Sequence, residues 1–263
     1  MSENSSCRLC GGPARRLFEK TVLRRYRVDY FHCGACGLTQ TAEPHWLDEA
    51  YRDAIHTADT GLLARNVHLR AVTAVFLALS GVRDESCLDY AGGWGVFTRL
   101  MRDAGFQFHW LDPYAQNLFA QGFEWKVELG RPAACTAFEV LEHLVRPLEE
   151  FRRLAAYGAD YLITSTEVPP TSPPSPDWWY IAPETGQHVA FYERRTLERL
   201  GRECGYPHSI LGPYHQVFAK RPFPAWRWHL AARAGRMLYP FVRRGRRALT
   251  LPDSERMRHP GNS

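Results

Sequence analysis

The sequence lacks any apolar run long enough to cross a membrane, and it lacks the pattern of a secretory signal. A membrane-spanning helix needs about 18 or more consecutive apolar residues, and the longest candidate, residues 71–79, is much shorter. The first ten residues, MSENSSCRLC, are polar and do not place a basic segment before an apolar one. Hydrophobic residues make up 45% of the chain and charged residues 23%, as in a globular protein. We therefore expect a cytoplasmic globular protein.

Acidic residues are also absent from one long stretch, since residues 205–252 contain no Asp or Glu. The same stretch mixes aromatic and aliphatic side chains with nine basic ones: Lys220, Arg221, Arg227, Arg233, Arg236, Arg243, Arg244, Arg246 and Arg247. Such a basic tail can lie on an anionic membrane surface or contact nucleic acid. It can equally be a helical extension that packs through its aromatic residues. The sequence leaves these three interpretations open.

The seven cysteines favour metal binding or free thiols over disulfides in a protein expected to be cytoplasmic. Four of them form two C-x-x-C-G units: Cys7, Cys10, Cys33 and Cys36. These units offer the four soft ligands of tetrahedral zinc, and the segment between them has the alternation of a short hairpin. We predict a zinc ribbon, in which structural zinc lets about 40 residues fold without a large core. The alternative is a chance set of free thiols.

Residues 87–95, CLDYAGGWG, have the pattern of a strand that ends in a glycine-rich turn, with a helix predicted to follow. Glycines allow a positive φ and let a ligand approach the backbone closely. A second, aromatic-rich strand ends at Asp112, 23 residues after Asp89. In nucleotide-binding βαβ units an acid about 20 residues downstream grips the ribose hydroxyls. The spacing favours a nucleotide-like ligand; the alternative is a tight turn in an α/β core.

The segment LDYAGGWG resembles the first motif of class I S-adenosylmethionine-dependent methyltransferases. The resemblance makes Asp89 the motif acid, near the methionine end of the ligand, and makes Asp112 the ribose-binding acid. It places Ala91, Gly93 and Gly95 at the three glycine positions, where Ala91 departs from the pattern. It assigns four further residues to the cofactor site: Gly92, Pro113, Phe138 and Glu139. The implied fold is a Rossmann-like α/β sheet with helices on both faces, preceded by the small zinc ribbon.

A third segment, FEVLEHL at residues 138–144, closely resembles the fourth-strand segment of small-molecule methyltransferases in this superfamily, among them ubiquinone-type O-methyltransferases and sugar methyltransferases. Glu139, Glu142 and His143 have the i, i+3, i+4 spacing of one helical face. The matching residues of the ubiquinone-type enzymes are associated with a metal, so the resemblance implies a second, divalent site here. Alternatively, Glu142 and His143 orient the site without metal. His143 is also a candidate base toward a substrate hydroxyl.

A proline-rich stretch, residues 169–176, predicts an irregular loop or lid at the C-terminal edge of the sheet. Trp178, Trp179 and Tyr180 follow, and their faces can stack on a sugar ring or planar ligand or plug the loop onto the core. His188 comes next, ahead of a predicted helix. A histidine in this place recurs near the substrate in related methyltransferases, so His188 is the preferred catalytic base.

These motifs predict a zinc ribbon at residues 1–45, a class I methyltransferase domain at 46–220 and a basic aromatic extension at 221–263. The predicted activity is methyl transfer from S-adenosylmethionine to a small acceptor, preferably to a hydroxyl of a sugar or secondary metabolite. The ribbon resembles the front piece of sugar C-methyltransferases. Those enzymes are longer and carry a further C-terminal domain, and this difference favours O-methylation.

Two alternative functions remain. An RNA methyltransferase would contact phosphates through basic residues in and beside the ribbon: Arg8, Arg15, Arg16, Lys20, Arg24, Arg25 and Arg27. An inactive cofactor-binding scaffold would fit the departure at Ala91. The sequence identifies neither the acceptor nor the oligomeric state.

Overall fold

The structure is a computed structural model that describes residues 4–52 and 59–259. Within these residues the strands are β1 (Asn4–Ser6), β2 (Pro13–Val22), β3 (Tyr26–His32), β4 (Leu38–Thr41), β5 (Cys87–Tyr90), β6 (Phe108–Leu111), β7 (Ala134–Phe138), β8 (Tyr161–Ser165), β9 (Ala190–Tyr192), β10 (His208–Leu211) and β11 (His215–Ala219). The helices are α1 (Leu47–Ala50), α2 (Leu62–Leu79), α3 (Val96–Asp103), α4 (Pro147–Ala156), α5 (Arg194–Glu203), α6 (Ala225–Arg244) and α7 (Thr250–Arg258). Short 3₁₀ turns lie at Val127–Leu129, Leu141–His143 and Trp179–Ile181.

The larger sheet has six strands in the order β10-β11-β8-β7-β5-β6. Strand β5 pairs in parallel with both β6 and β7, whereas β10 and β11 form an antiparallel pair. Strands β5, β6 and β7 are short runs whose residues are almost all buried, as expected for parallel strands covered on both faces. The predicted Rossmann-like α/β fold is confirmed.

The smaller sheet has five antiparallel strands in the order β1-β2-β3-β4-β9. Strands β2 and β3 form the predicted hairpin, closed where Val22 pairs with Tyr26. Leu23 and Arg24 in its turn have φ values of 51° and 57°. The sheet does not end with the predicted ribbon, because β4 pairs with β9.

Beneath the smaller sheet lies a buried apolar core: Val22, Val28, Tyr30, Trp46, Ala50, Trp178, Tyr180, Ile181, Val189 and Phe191. Trp46 also donates a hydrogen bond of 2.8 Å from Nε1 to the carbonyl of Gly186. The core therefore joins the first 50 residues to a segment more than 120 residues further along the chain. This shared core corrects the expectation that the ribbon folds without a large core, because one face of its hairpin is apolar and needs a partner.

The chain forms two compact units. The first contains Met1–His56, Phe138–Ala156 and Thr164–Arg221; the second contains Thr57–Ala137, Tyr157–Ile163 and Pro222–Ser263. The smaller sheet belongs to the first unit, and the glycine turn after β5 belongs to the second. The domain boundaries predicted from the sequence stay a prediction.

Helix α2 is long and apolar enough, by length and composition, to cross a membrane. The count of consecutive apolar residues did not predict this, because Arg65, His68 and Arg70 interrupt the run. All side chains at positions 71–77 are buried, as in the core helix of a globular unit. On the facing helix α6, a Cβ added at Gly235 would lie 3.1 Å from the Cα of Val72, so the glycine permits the two helices to approach closely.

Candidate functional site

The glycine turn leaves β5 at Tyr90 and leads into α3. Three of its residues, Ala91, Gly93 and Gly95, have φ values of 54°, 53° and 83°. Glycine adopts this left-handed conformation freely, whereas a residue with a Cβ carries a cost of roughly 1–2 kcal/mol. The turn is thus formed as the sequence predicts, and Ala91 is its strained position.

Gly92 has to be glycine for a different reason, since a Cβ there would lie 2.7 Å from Oδ2 of Asp89 and 2.8 Å from Cδ1 of Trp110. The indole of Trp110 also donates a hydrogen bond of 2.9 Å from Nε1 to the carbonyl of Gly93. The turn is therefore packed tightly against the ends of β5 and β6.

Asp89 is 2% exposed, and both of its carboxyl oxygens have partners within the protein. Thr98 donates from Oγ1 to Oδ2 at 2.8 Å, and Thr136 donates from Oγ1 to Oδ1 at 2.9 Å. Burial raises the pKa of Asp89 to about 7, although the two threonine hydrogen bonds lower it. In this arrangement Asp89 ties β5 to α3 and β7, and its predicted role near the methionine end of a ligand stays a prediction.

Asp112 connects the end of β6 to the glycine turn. Its Oδ2 accepts a hydrogen bond of 2.9 Å from the backbone amide of Gly93, and its Oδ1 accepts bonds of 2.8 Å and 2.9 Å from the amides of Tyr114 and Ala115. The carboxyl group thus lies against the turn, as expected of a ribose-binding acid in a βαβ unit. Pro113 starts the loop that supplies two of these amides.

The end of β7 differs from the sequence expectation. Glu139 follows Phe138 with φ at 53°, and its Oε1 accepts a hydrogen bond of 2.7 Å from Oγ of Ser165. Only Leu141–His143 forms a 3₁₀ turn, and helix α4 does not begin until Pro147, which suits a first helical position because it lacks an amide hydrogen. This geometry corrects the expectation that one helical face is shared by Glu139, Glu142 and His143.

Glu142 is fully buried in the first unit. Tyr180 donates a hydrogen bond of 2.6 Å from its hydroxyl to Oε1 of this carboxyl group. Its Oε2 is buried and has no hydrogen-bond partner among the residues that the structure describes. A buried oxygen without a partner is costly and needs an explanation.

Two histidines adjoin this carboxyl group. Nδ1 of His143 lies 2.8 Å from the hydroxyl of Tyr51 and 3.2 Å from the carbonyl of Gln187. Nδ1 of His188 lies 2.6 Å from the carbonyl of Tyr180, and the two imidazole rings are 5.1 Å apart between centroids. The structure therefore brings both candidate bases together, which sequence spacing alone could not predict.

The protonation of the two rings follows from these contacts. Burial, together with the neighbouring His188, lowers the pKa of His143 to about 3, so His143 is neutral. Because a carbonyl can only accept, Nδ1 of His188 must donate its hydrogen to Tyr180. In this tautomer Nε2 of His188 carries the lone pair of the ring, as a general base requires.

The same residues form a candidate metal group. One ligand atom each of Glu142, His143 and His188 lies within 4.8 Å of the other two. Two imidazoles and a carboxylate are a common ligand set for zinc and other transition metals. The group differs from the set expected from the sequence in containing His188 and not Glu139, which is hydrogen-bonded to Ser165.

The four predicted zinc ligands come together in the first unit. The Sγ atoms of Cys7 and Cys36 lie 3.5 Å apart, as do those of Cys10 and Cys33, and all four lie within 4.8 Å of one another. Zn–S bonds of about 2.3 Å in a tetrahedron place sulfurs roughly 3.8 Å apart, so the cluster fits zinc. Four thiolates would complete the coordination shell of a zinc ion here, which is the arrangement of a structural site.

A cavity of about 520 Å³ lies beside the proline-rich loop of the first unit. Its charged residues, Glu167 and Arg194, were not among the site residues predicted from the sequence. It is lined by Glu167, Val168, Pro169, Pro170, Trp178, Trp179, Arg194 and Pro213. Trp179 is 71% exposed and Trp178 only 9%, so Trp178 packs into the core, whereas Trp179 lines the cavity with most of its side chain exposed. Burial raises the pKa of Glu167, with the nearby carboxylates of Glu139 and Glu142 adding to the effect. A signal for Glu167 was present in the sequence, since it stands two residues before the proline-rich stretch predicted to lie at the edge of the sheet.

Most basic residues of the ribbon already have partners. Arg16 bonds to Asp29 and Arg27 to Glu19, both at 2.7 Å, and Arg8 donates to the carbonyl of Val189 at 2.7 Å. Two longer ion pairs, of 3.5 Å each, also occur: Lys20 with Asp177 and Arg25 with Glu49. Five of the seven cations expected to contact RNA are therefore engaged within the protein.

The strand order and the glycine turn define a Rossmann-like α/β protein. A family model described as a methyltransferase domain matches residues 61–207, more than half of the 263-residue chain. The chain therefore belongs to this methyltransferase family, and the predicted class I S-adenosylmethionine-dependent methyltransferase is confirmed. The matched region contains the turn, Asp112 and both candidate bases, but not the four ribbon cysteines.

Several solved structures are similar to the chain. The mitomycin 7-O-methyltransferase MmcR is 14% identical over 67% of this chain and 60% of that chain, with a TM-score of 0.49. TnmH is 17% identical over 68% of this chain and 62% of that chain, also with a TM-score of 0.49. The 1,6-didemethyltoxoflavin-N1-methyltransferase of Burkholderia thailandensis is 15% identical over 73% of this chain and 93% of that chain, with a TM-score of 0.48.

The chain thus spans less than two thirds of MmcR and of TnmH. These likenesses concern the fold alone. Among curated proteins, no sequence matches the chain.

Proposed function

We propose that the protein is a cytoplasmic enzyme that transfers a methyl group from S-adenosylmethionine to a hydroxyl of a small acceptor, such as a sugar or a secondary metabolite. The observation that carries the proposal is the hydrogen bond of 2.6 Å from Nδ1 of His188 to the carbonyl of Tyr180. This bond requires the hydrogen of the imidazole to be on Nδ1, so that Nε2 can act as a base. The chain that carries this histidine belongs to the methyltransferase family.

The cofactor would lie at the glycine turn. Ala91, Gly93 and Gly95 give the turn its left-handed backbone, and Asp112 can exchange its bond with the Gly93 amide for the ribose hydroxyls. When bound, S-adenosylmethionine supplies a methyl group on a positively charged sulfur. The amide-rich turn and the carboxylate are suited to hold its ribose and adenine ends.

His188 would remove the proton. A hydroxyl is a poor nucleophile at neutral pH, and its proton must leave as the new carbon–oxygen bond forms. Nε2 of His188 accepts this proton, and the charge that develops on the ring is stabilised by the carboxylate of Glu142, which belongs to the same tight group. His143, with its pKa lowered to about 3, is a poor proton acceptor and serves instead to position Tyr51 and the backbone of Gln187.

The cavity beside the proline-rich loop suits a hydroxylated acceptor. The exposed face of Trp179 can stack on a sugar or aromatic ring. Glu167 can accept hydrogen bonds from hydroxyls, and the exposed Arg194 can hold an anionic group on the same molecule. Trp179 and Tyr180 stack edge to face at 5.3 Å, and Tyr180 and His188 are 4.6 Å apart, so an aromatic path leads from the cavity wall to the base.

The two candidate metal sites would have different roles. Zinc at the four cysteines would hold the ribbon and take no part in the reaction. A divalent cation at Glu142, His143 and His188 is the alternative to a free base, because it would occupy the lone pair on His188 and engage the unpaired Oε2 of Glu142.

Neither RNA methylation nor an inactive scaffold gains support. The cations of the ribbon are mostly paired with carboxylates, which weakens a phosphate-binding surface there. The scaffold hypothesis depends on Ala91, yet the turn forms with Ala91 in place.

The test uses S-adenosylmethionine with a radiolabelled methyl group and fractionated small-molecule extracts, with label transfer followed by mass spectrometry of the product. His188→Ala should lower turnover about 10²–10⁴-fold while S-adenosylhomocysteine still binds. His208→Ala, at the start of β10, is the matched control and should leave turnover unchanged. A His188→Ala enzyme that keeps more than half of the wild-type turnover would remove His188 as the base. Loss of turnover on chelation, restored by added divalent cation, would favour the metal alternative.

A further inference from the structure

Helix α6 has two opposite faces. Its buried residues are Trp228, Ala231 and Gly235, which lie on the side that packs against α2 within the second unit. With 3.6 residues per turn, these positions cluster on one side of the helix. The opposite side faces solvent, and it belongs to the segment that contains no acidic residue.

A continuous stripe runs along this opposite side, and we name it the α6 stripe: Trp226, Leu230, Arg233, Met237, Phe241 and Arg244. At 100° per residue these six positions fall within about 80° of arc, over a helix roughly 30 Å long. The four apolar members are between 39% and 68% exposed, and both arginines are exposed. Large apolar side chains repeated on the outer face of a well-packed helix mark an interaction surface.

The charge of this surface has one sign. Residues 205–252 contain no Asp or Glu, and Arg236 and Arg247, in the same stretch of the chain, are also exposed. Among the described residues, the ion pairs of the protein include none with Arg233, Arg236 or Arg244. By contrast, Arg102 in the same unit is buried in a bond of 2.6 Å to Asp253. The stripe arginines therefore present uncompensated positive charge outward.

We propose that the α6 stripe docks on the surface of an anionic phospholipid bilayer, with the helix lying parallel to the membrane plane. Trp226, Leu230 and Phe241 would enter the boundary between headgroups and acyl chains, which is the usual depth for such helices. The arginines can extend their apolar stems along this boundary while the guanidinium groups pair with lipid phosphates. This partner satisfies both properties of the stripe at once, its apolar side chains and its single sign of charge.

Other occupants fit less well. A second copy docked through the same stripe would bring together two surfaces that both carry positive charge, because a two-fold interface apposes the same surface of each copy. Nucleic acid would account for the arginines, but phosphate contacts leave Leu230, Met237 and Phe241 without a partner. Both occupants are distinguishable by experiment.

The test is co-sedimentation of the full-length protein with vesicles of phosphatidylcholine alone and of phosphatidylcholine mixed with phosphatidylglycerol. We expect binding to the anionic vesicles, weakened by salt. The double variant Arg233→Glu/Arg244→Glu should bind at least about tenfold more weakly, since each basic residue near such a surface contributes severalfold in affinity. Met237→Ser/Phe241→Ser should also bind severalfold more weakly. The control Arg24→Glu/Arg152→Glu makes the same charge change at exposed sites outside α6 and should bind like the wild type.

Thermal melting of each variant checks that the fold is intact, which the exposure of every substituted residue leads us to expect. Equal binding by the wild type and the Arg233→Glu/Arg244→Glu variant would overturn the proposal. So would wild-type binding by the Met237→Ser/Phe241→Ser variant, because the apolar side chains would then not be inserted. Binding to single-stranded RNA without binding to vesicles, or self-association that the stripe variants abolish, would identify a different occupant and also overturn it.

Discussion

The backbone amide of Gly93 donates a hydrogen bond of 2.9 Å to Oδ2 of Asp112. One residue belongs to the turn after β5 and the other to the end of β6, so this bond closes the two neighbouring loops on each other. A ribose bound by Asp112 would have to compete with this amide. The carboxyl group of Asp112 therefore stabilises the turn and is also the proposed contact with the ribose.

Replacing Asp112 tests both roles. Asp112→Ala should weaken binding of S-adenosylhomocysteine by about 1–3 kcal/mol, since a charged hydrogen-bond acceptor is lost. Isothermal titration calorimetry measures the change. Asp160→Ala, which removes a surface carboxylate paired with Arg131, is the control and should bind normally. An unchanged affinity in Asp112→Ala would place the ribose elsewhere.

Replacing Ala91 by glycine should stabilise the folded protein. The φ of 54° at Ala91 strains a residue with a Cβ, and glycine removes this strain at the expense of a more flexible unfolded chain. We expect Ala91→Gly to raise the free energy of unfolding by about 0.5–1 kcal/mol, measured by urea denaturation. Ala78→Gly, within helix α2, is the opposite control and should lower it by about 1 kcal/mol. A destabilised Ala91→Gly protein would mean that the methyl group contributes packing that outweighs the strain.

Asp89 should make stability fall as the pH rises. Burial raises its pKa to about 7 in the folded protein from an ordinary value near 4. Between these two values the folded state holds a proton that the unfolded state has lost, so the free energy of unfolding decreases with increasing pH and levels off above about 7. Asp89→Asn keeps two groups that can bond to Thr98 and Thr136, and it should flatten this dependence. Equal slopes in the two proteins between pH 4 and about 7 would show that Asp89 is ionised throughout.

The zinc ribbon should bind one zinc ion. Loss of this zinc should destabilise residues outside the ribbon as well as within it. Because the ribbon shares its core with residues 178–191, we expect Cys33→Ser to lower the melting temperature of the whole first unit. Metal analysis and differential scanning calorimetry measure the two effects. Cys204→Ser, at a cysteine outside the cluster, should retain zinc. A Cys33→Ser protein that keeps a full equivalent of zinc and melts normally would contradict both expectations.

Local patterns account for most of what the sequence predicted correctly. The C-x-x-C knuckles, the hairpin between them and the glycine turn with Asp112 each depend on residues close together in the chain, where spacing dictates geometry. The conformation of Glu139 was missed because helical spacing cannot reveal a single left-handed residue.

Distant relationships were not predictable in the same way. The meeting of His143 with His188 and the joining of β4 to β9 depend on how segments about 45 and 150 residues apart pack, and no local pattern encodes that. The polar residues of the cavity, Glu167 and Arg194, were missed for the same reason.

The pairing of β4 with β9 also determines when the smaller sheet can be completed during synthesis of the chain. Thr39 pairs with Phe191, so β4 emerges from the ribosome about 150 residues before its partner strand exists. At about 5–20 residues per second, one edge of the early sheet keeps its backbone groups unpaired for roughly 8–30 s. During that interval the two C-x-x-C-G units can already bind metal. The apolar side of the hairpin, however, stays exposed until Trp178 and Phe191 have been synthesised. The nascent chain is therefore most exposed to aggregation, and most in need of a chaperone, after the ribbon has left the ribosome and before residue 192 has followed.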